Sequence, residues 1–257
     1  TSTSKSCSSD LRLLLPSPQN VELLVENLLR PVLEEAREKW NAFANGFIEI
    51  FEAIRHMPKR MRQLDLVHFL TWPGLFLMWF FFTTAVASEI FKGAPGSEAY
   101  GKGADLAGLA YSFENIVTFL FALVLPFLAA KIGQKWTHFT SLMIGGCGLM
   151  LINFVDANSA WMLFLIMALV GIAWSSILSM PYAMLSSSVD ETKMGLMMGL
   201  FNMFIVIPQI VAALGGVNVL SKVFGDSPIA PMLLAGVSLV IAGLCNLLIT
   251  DKTVARG

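Results

Sequence analysis

The chain has 257 residues, of which 56% are hydrophobic and only 14% charged, whereas soluble domains carry about 25% charged residues. Its formal net charge is −1, so no basic excess suggests that it binds nucleic acid. These values exclude an ordinary soluble domain and indicate an integral membrane protein, with the lipid bilayer as a partner.

Residues 1–20 are rich in serine, then in leucine and proline, and show no helical or strand period. We expect them to form a leader that is disordered or not native to the fold. The chain starts at Thr1 rather than Met, and the first long apolar run begins near Leu66, too late for a signal peptide. These features predict a fragment or an internally started chain.

Residues 21–62 have apolar residues at helical spacing with charged residues between them, and Phe43 and Phe51 fall on one face. The pattern predicts amphipathic helical structure, a cytoplasmic or interfacial linker that lies on the membrane surface or packs on a partner. Pro58 should end this helix. The basic cluster at 56–62 indicates a membrane-orientation signal.

Six apolar runs follow within residues 63–257, and each is long enough to cross about 30 Å of hydrocarbon as a helix. Only helices and closed barrels span lipid, and long unbroken runs indicate helices. The connections are short, the longest being the glycine-rich segment 91–105. We predict an all-α membrane protein of six transmembrane helices. The predicted spans are 66–90, 106–130, 136–155, 160–185, 194–220 and 229–250.

Lysine and arginine residues in the loops predict the orientation of these helices. With the N-terminal flank in the cytoplasm, nine basic residues lie on that side and three on the other. Both termini should therefore be cytoplasmic, in a plasma or inner membrane. The nine are Arg55, Lys59, Arg60, Arg62, Lys131, Lys135, Lys193, Lys252 and Arg256, and the three are Lys92, Lys102 and Lys222.

The segment 170–209 places polar side chains in two otherwise apolar runs, and a lipid-facing anchor has no use for them. It predicts a helix pair that lines a polar cavity. Some prolines lie deep inside predicted spans, where each removes a backbone hydrogen bond. The kinks that they predict are either tolerated or let helices bend about a central site. These prolines are Pro126, Pro181 and Pro208.

Small residues recur where helices should touch, in Gly145-Gly146-x-Gly148 and in Gly195-x-x-x-Gly199. Such residues let helix backbones approach closely, so both motifs predict packing.

Glu114 lies in the second predicted span, about 12 Å deep at a rise of 1.5 Å per residue. A carboxyl group at that depth is a functional candidate, either as a proton carrier or as an acceptor for substrate hydroxyl groups. The alternative is a structural carboxyl group, protonated or paired with Asn115.

Trp174 lies too deep in its span for the interfacial aromatic belt. Its ring, beside Ser175 and Ser176, could stack on a sugar or pack in the core. No catalytic constellation accompanies it, because the three histidines are scattered near span ends and no nucleophile or phosphate-loop motif occurs. We expect neither an enzyme, nor a metal site, nor a bound cofactor.

The stretches GIAWSSILSMPYAMLSSSV and MGLFNMFIVIPQIVAAL resemble the tenth and eleventh helices of the sucrose transporter group. That group belongs to the glycoside–pentoside–hexuronide:cation symporters of the major facilitator superfamily. HMPKRMRQLDLVHFLTWPGLFLMWFFFTTAV is similar to its seventh helix. LPFLAAKIGQKW is similar to its basic cytoplasmic loop after the eighth helix, without the usual Asp-Arg. The matching loop residues are Lys131, Gly133, Gln134 and Lys135.

The resemblance covers about residues 45–250 and implies the C-terminal six-helix half of a twelve-helix fold. It implies symport of a sucrose- or maltose-like glycoside with protons by alternating access, with an N-terminal six-helix half as the missing partner. The family's proton-coupling residues lie mainly in that other half, and Glu114 has no certain counterpart. The expected sugar contacts are Tyr111, Asn115, Trp174, Ser175, Ser176, Tyr182, Asn202 and Gln209. The alternative is a truncated, non-transporting membrane protein that acts as a binding partner or sensor.

Overall fold

The computed structural model describes residues 18–189, 191–211, 214, 222 and 227–250. Within these residues the chain forms helices and no strands. Most of the predicted leader, residues 1–17, lies outside the described part, and helix α1 already begins at Pro18. The chain separates after Arg55 into two units.

The first unit consists of α1, Pro18–Arg55, a single amphipathic helix of 38 residues. Large apolar side chains along it remain exposed, and Phe43 packs edge-on against Phe47 with ring centroids 4.8 Å apart. Ion pairs one turn apart, such as Glu35 with Lys39 at 2.7 Å, support the polar face. Only two residues separate Pro58 from Arg55, so the helix ends where a proline is expected to stop it.

The second unit contains six helices that are long and apolar enough to cross a membrane, which confirms the predicted fold class. The first continues as a π-helix, Ala85–Ile90, and the third as a 3-10 helix, Leu151–Phe154. The α-helical bounds are α2 Lys59–Thr84, α3 Glu98–Ile132, α4 Gln134–Met150, α5 Met162–Ser186, α6 Met194–Val211 and α7 Ile229–Asn246. The rest of the predicted span 194–220 lies outside the described residues, apart from residue 214.

Helix α4 packs extensively on both α5 and α7, α2 packs on α7, and α3 packs on α5, while α6 contacts α2. Glycines set the closest approaches. A Cβ atom at Gly146 would lie 2.8 Å from the carbonyl oxygen of Gly236, and one at Gly171 would lie 2.7 Å from that of Glu114. Hence α4 meets α7, and α3 meets α5, backbone against backbone.

The second glycine motif does not pack in this way. A Cβ atom at Gly195 or Gly199 would meet nothing within 4 Å. The prediction that this motif joins helices is therefore wrong for the described part of the chain.

The predicted 15-residue loop at 91–105 is also wrong, because α3 begins at Glu98. The side chain of Ser97 caps this helix by accepting a hydrogen bond from the amide of Tyr100 at 3.2 Å. One of the glycines that suggested a loop serves packing instead, since a Cβ atom at Gly103 would lie 2.6 Å from Cα of Ala87. The earlier start places Glu114 halfway along α3.

Polar side chains join the helix ends on the side of the bundle where α2 begins, here called the Arg60 end. Arg60 donates to the hydroxyl oxygens of Ser187 and Ser188, which follow α5, at 3.2 and 3.0 Å. Gln63 donates to the carbonyl oxygen of Leu248, which follows α7, at 2.7 Å. The Arg60 end therefore brings together the start of α2 and the ends of α5 and α7.

The connection between α4 and α5 lies at the other end and is organised by Asp156. Its carboxylate accepts hydrogen bonds from the Ser159 hydroxyl at 2.8 Å and from the Asn158 amide at 2.9 Å. These bonds, led by that of the Ser159 hydroxyl, lower the pKa of Asp156 below its ordinary value.

We expect Gly146→Ala to lower the free energy of unfolding by about 1–3 kcal/mol, because the added methyl group must push α4 away from α7. Thermal unfolding of the detergent-purified protein should show a lower Tm. The matched control is Gly108→Ala, since a Cβ atom there meets nothing within 4 Å in α3. Equal Tm values for the two variants would contradict the proposed backbone contact.

Candidate functional site

Three tryptophans from two helices meet inside the six-helix unit. Trp174 of α5 lies edge-on to Trp72 and Trp79 of α2, with ring centroids 5.8 and 5.4 Å away. Trp72 is buried, Trp174 is half-buried, and Trp79 is 39% exposed. Edge-to-face aromatic pairs of this kind hold their rings in fixed orientations. The cluster therefore offers a rigid aromatic wall with one accessible side.

The same wall extends through His68, one turn before Trp72. The indole nitrogen of Trp72 donates to Nδ1 of His68 at 2.8 Å, so the neutral imidazole carries its proton on Nε2. Its ring also packs edge-on against Phe201 of α6, with centroids 4.5 Å apart. His68 is buried, so it joins α2 to α6 from the inside of the unit.

Tyr182 and Asn202 complete this network. The Tyr182 hydroxyl donates to the side-chain oxygen of Asn202 at 3.0 Å, and its ring packs edge-on against Phe201 at 5.4 Å. Asn202 itself is exposed. Tyr182 and Asn202, which the sequence predicted as separate sugar contacts, thus form a hydrogen-bonded bridge between α5 and α6. The amide of Asn202 remains at the surface.

Glu114 occupies a second polar position, where α3 meets α5. It is 5% exposed, and its carboxyl oxygen accepts a hydrogen bond from the Thr118 hydroxyl at 2.9 Å. The same hydroxyl lies 3.2 Å from the carbonyl oxygen of Gly171. The suggested pairing with Asn115 is not found, because the Asn115 amide donates to the carbonyl oxygen of Tyr111 at 2.9 Å and is exposed.

Tyr111 lies one turn before Glu114 and reaches toward α2. Its hydroxyl donates to the carbonyl oxygen of Met78 at 3.3 Å, and its ring packs edge-on against Phe82 at 5.0 Å. Tyr111 thus links the Glu114 position to the helix that carries Trp72 and Trp79.

The two serines beside Trp174 are buried and already bonded. The Ser176 hydroxyl lies 3.0 Å from Nδ1 of His138 in α4, and the Ser175 hydroxyl donates to the carbonyl oxygen of Ile172 at 3.1 Å. In this conformation they connect and brace helices. Gln209 is half-buried in α6, next to Pro208.

The three prolines lie inside α3, α5 and α6, and each helix continues past its proline. Pro181 and Pro208 are buried, whereas Pro126 is exposed. Pro181 lies next to Tyr182, so the helix backbone lacks one amide donor beside the network.

The basic loop motif has a clear local geometry. Gly133 alone separates α3 from α4 and has φ +90°, a conformation that favours glycine. Gln134 begins α4, and the carbonyl oxygen of Lys135 accepts a hydrogen bond from the side chain of Asn246 at 2.8 Å. Lys131 lies in the last turn of α3. The motif therefore fixes a tight turn at the Arg60 end.

Sequence reasoning missed His68, His138 and Asp65, all of which are buried. The description of the histidines as scattered near span ends is wrong for His68, since α2 begins at Lys59 rather than near residue 66. The spacing of His68 and Trp72, four residues apart, was the available signal. Among the described residues, no group of three His, Cys, Asp or Glu side chains converges on a metal-binding position.

The sequence profile of the Major Facilitator Superfamily matches residues 64–256. Curated relatives include the sucrose transport protein SUC4 of Arabidopsis thaliana, 24% identical over 88% of this chain and 48% of its own length. The sucrose transport protein SUT2 of Oryza sativa subsp. indica is 24% identical over 78% of this chain and 44% of its own. The chain spans about half the length of these relatives.

The profile match covers most of the chain, and it agrees with the six apolar helices and with the resemblance drawn from the residues around Pro181 and Pro208. The chain is a multi-pass membrane protein that belongs to the major facilitator superfamily, and within it the chain is similar to the sucrose transporters.

Proposed function

We propose that this chain forms one half of a secondary active transporter that carries a sucrose- or maltose-like glycoside together with protons. The network of α2, α5 and α6 supports the proposal most strongly, because it combines rigid aromatic faces with hydrogen-bonding groups inside a membrane bundle. Sugars present apolar ring faces and hydroxyl groups, so a site for them needs both kinds of contact. The names of the plant relatives agree with this substrate class.

Exposed polar side chains on the spans indicate where a second half would pack. Asn115 of α3 and Asn202 of α6 are exposed within long apolar helices. Amide side chains that face hydrocarbon are costly, whereas a water-filled cavity satisfies them. We infer that a second six-helix half covers these positions and encloses the cavity, in agreement with the length of the relatives.

Transport would then follow alternating access, with the two halves rocking about a site near the midplane. Trp174 or Tyr111 would stack on the sugar, and Asn115, Tyr182, Asn202 and Gln209 would meet its hydroxyl groups. Ser175 and Ser176, also expected as sugar contacts, are buried and bonded within the bundle, so they would support Trp174 rather than meet the sugar in this conformation. The distribution of lysine and arginine favours an orientation in which the Arg60 end and both termini face the cytoplasm, with the protein in a plasma or inner membrane. Protons serve as the coupling ion, and no bound cofactor is needed.

Uptake of labelled sucrose, maltose and glucose into membrane vesicles that contain the complete protein tests this proposal directly. Accumulation of a disaccharide should require an inward proton gradient and should stop when an ionophore collapses it. Accumulation without any dependence on the gradient would contradict symport, and no uptake of any sugar would contradict the substrate class.

Replacing Glu114 by Gln should remove most of the proton-driven uptake while leaving membrane insertion intact. The amide keeps the shape and the Thr118 contact but cannot carry a proton. The matched control is Glu98→Gln on the same helix, where the carboxylate is exposed and pairs only with Lys102 at 2.8 Å. Unchanged uptake in Glu114→Gln vesicles would exclude a role for Glu114 in coupling.

Replacing Trp174 by Ala should raise the KM for sucrose about two- to tenfold, which corresponds to the 0.5–1.5 kcal/mol typical of an aromatic contact. Trp161→Ala, at the exposed start of α5, provides the control. Thermal unfolding separates the two roles open to Trp174. A lower Tm with an unchanged KM would indicate core packing rather than sugar stacking.

A further inference from the structure

Asp65 lies in the second turn of α2, about 9 Å from its start, and is only 2% exposed. Neither oxygen of its carboxyl group has a hydrogen-bond partner among the described residues. A buried carboxylate without donors is strongly destabilised, whereas the protonated acid tolerates such a place far better. Asp65 therefore differs from Glu114, whose carboxyl group is held by Thr118.

A cavity of about 230 Å³ opens beside Asp65, between α2 and α6. A water molecule occupies about 30 Å³ in the liquid, so the cavity has the volume for several, and the charged groups that line it are those of Arg62 and Asp65. Among its lining residues Arg62 is the one cation, and it lies one turn before Asp65 on the same face of α2. The lining residues are Met57, Arg62, Asp65, Leu66, Phe69 and Phe204.

The helices packed on α2 add few other groups that could titrate here. The described parts of α6 contain no acidic or basic residue, α7 contains only Cys245, and α5 contains only Tyr182. Tyr111 of α3 meets α2 at Met78, more than three turns beyond Asp65. On α2 itself, His68 follows one turn later and Arg60, bonded to Ser187 and Ser188, precedes. Of these groups, only Arg62 lines the cavity together with Asp65.

We propose that Asp65 is a second protonatable carboxyl group of the transport cycle, which exchanges the coupled proton with the Arg60 end through the cavity beside Arg62. This inference rests on the proton symport proposed above. While the guanidinium group of Arg62 is distant, Asp65 holds its proton. When Arg62 approaches, the O–H bond breaks, the proton passes to water in the cavity, and the carboxylate pairs with the guanidinium group.

A proton fits this position better than a sodium ion. A sodium ion is a hard cation, and hard cations bind where several oxygen ligands converge. Asp65 has no second carboxyl group beside it among the residues that line the cavity. A proton needs one carboxyl oxygen and a neighbouring space that water can enter, and Asp65 lines such a space together with Arg62.

The test compares Asp65→Asn with wild type in vesicles that contain the complete protein, using two assays. Net accumulation of labelled sucrose under a proton gradient requires the proton to load and to leave. Exchange of internal for external sucrose at equal pH does not require its release. We expect Asp65→Asn to lose accumulation and to retain exchange. The control, Asp105→Asn, removes an exposed carboxyl group of α3 and should retain both.

The outcomes separate this inference from the proposed function. Absence of proton-driven sucrose accumulation in wild type would overturn the symport itself. Accumulation driven by a sodium gradient instead of a proton gradient would overturn it too. Normal proton-driven accumulation in Asp65→Asn would overturn the role of Asp65 alone. Loss of exchange as well would show that the residue holds the structure or the sugar rather than the proton.

A chemical measurement covers the case in which Asp65→Asn fails to fold. Hydrophobic carbodiimides add to buried protonated carboxyl groups, so dicyclohexylcarbodiimide should modify Asp65 at pH 6 in the wild-type protein, as mapped by mass spectrometry. Asp105 should remain unmodified. Asp65→Glu, which keeps a protonatable group, should restore part of the accumulation. Absence of labelling at Asp65, or no accumulation with Asp65→Glu, would overturn the inference.

Discussion

Close contact between helix backbones is the constraint on which the rest of this bundle depends. Inside a membrane the hydrophobic effect does not hold helices together, so packing and interhelical hydrogen bonds must. Gly146 and Gly236 let α4 and α7 touch, and Gly171 lets α5 touch the backbone of Glu114. The contact at Gly171 also positions a functional candidate, because it brings the Thr118 hydroxyl between the Glu114 carboxyl group and a carbonyl oxygen of α5. A side chain at Gly171 would disturb both the backbone contact and the two contacts of the Thr118 hydroxyl.

Polar groups in the bundle follow a second rule, that each must find a partner inside the protein. Most hydroxyl groups satisfy it with a backbone carbonyl one turn earlier, as Thr71 does with Val67 at 2.7 Å. Others join helices, as Ser176 does with His138 and Tyr182 with Asn202. Against this background the bare carboxyl group of Asp65 is unusual. A buried polar group without a hydrogen-bond partner destabilises a membrane bundle, so its presence there indicates a functional role.

The two buried carboxyl groups lie at different depths. Glu114 is halfway along its helix, whereas Asp65 is near the Arg60 end. A transporter that couples a proton to a sugar has to bring the proton to the middle of the membrane and then let it leave on one side. In the proposed cycle, Glu114 would hold the proton near the midplane, and Asp65 would release it at the Arg60 end.

The sequence by itself determined that this chain is a membrane protein, with six spans in the part that the structure describes, because long apolar runs can satisfy their backbone groups in lipid only as helices. It also determined the superfamily, through the residues around Pro181 and Pro208. Helix starts were less predictable, because the packing role of Gly103 appears only once α3 is placed against Ala87. Tertiary structure alone decided which polar residues have partners. Tyr182 and Asn202 meet although they are 20 residues apart, and Asp65 meets no donor in the described part of the chain, because both outcomes depend on neighbouring helices.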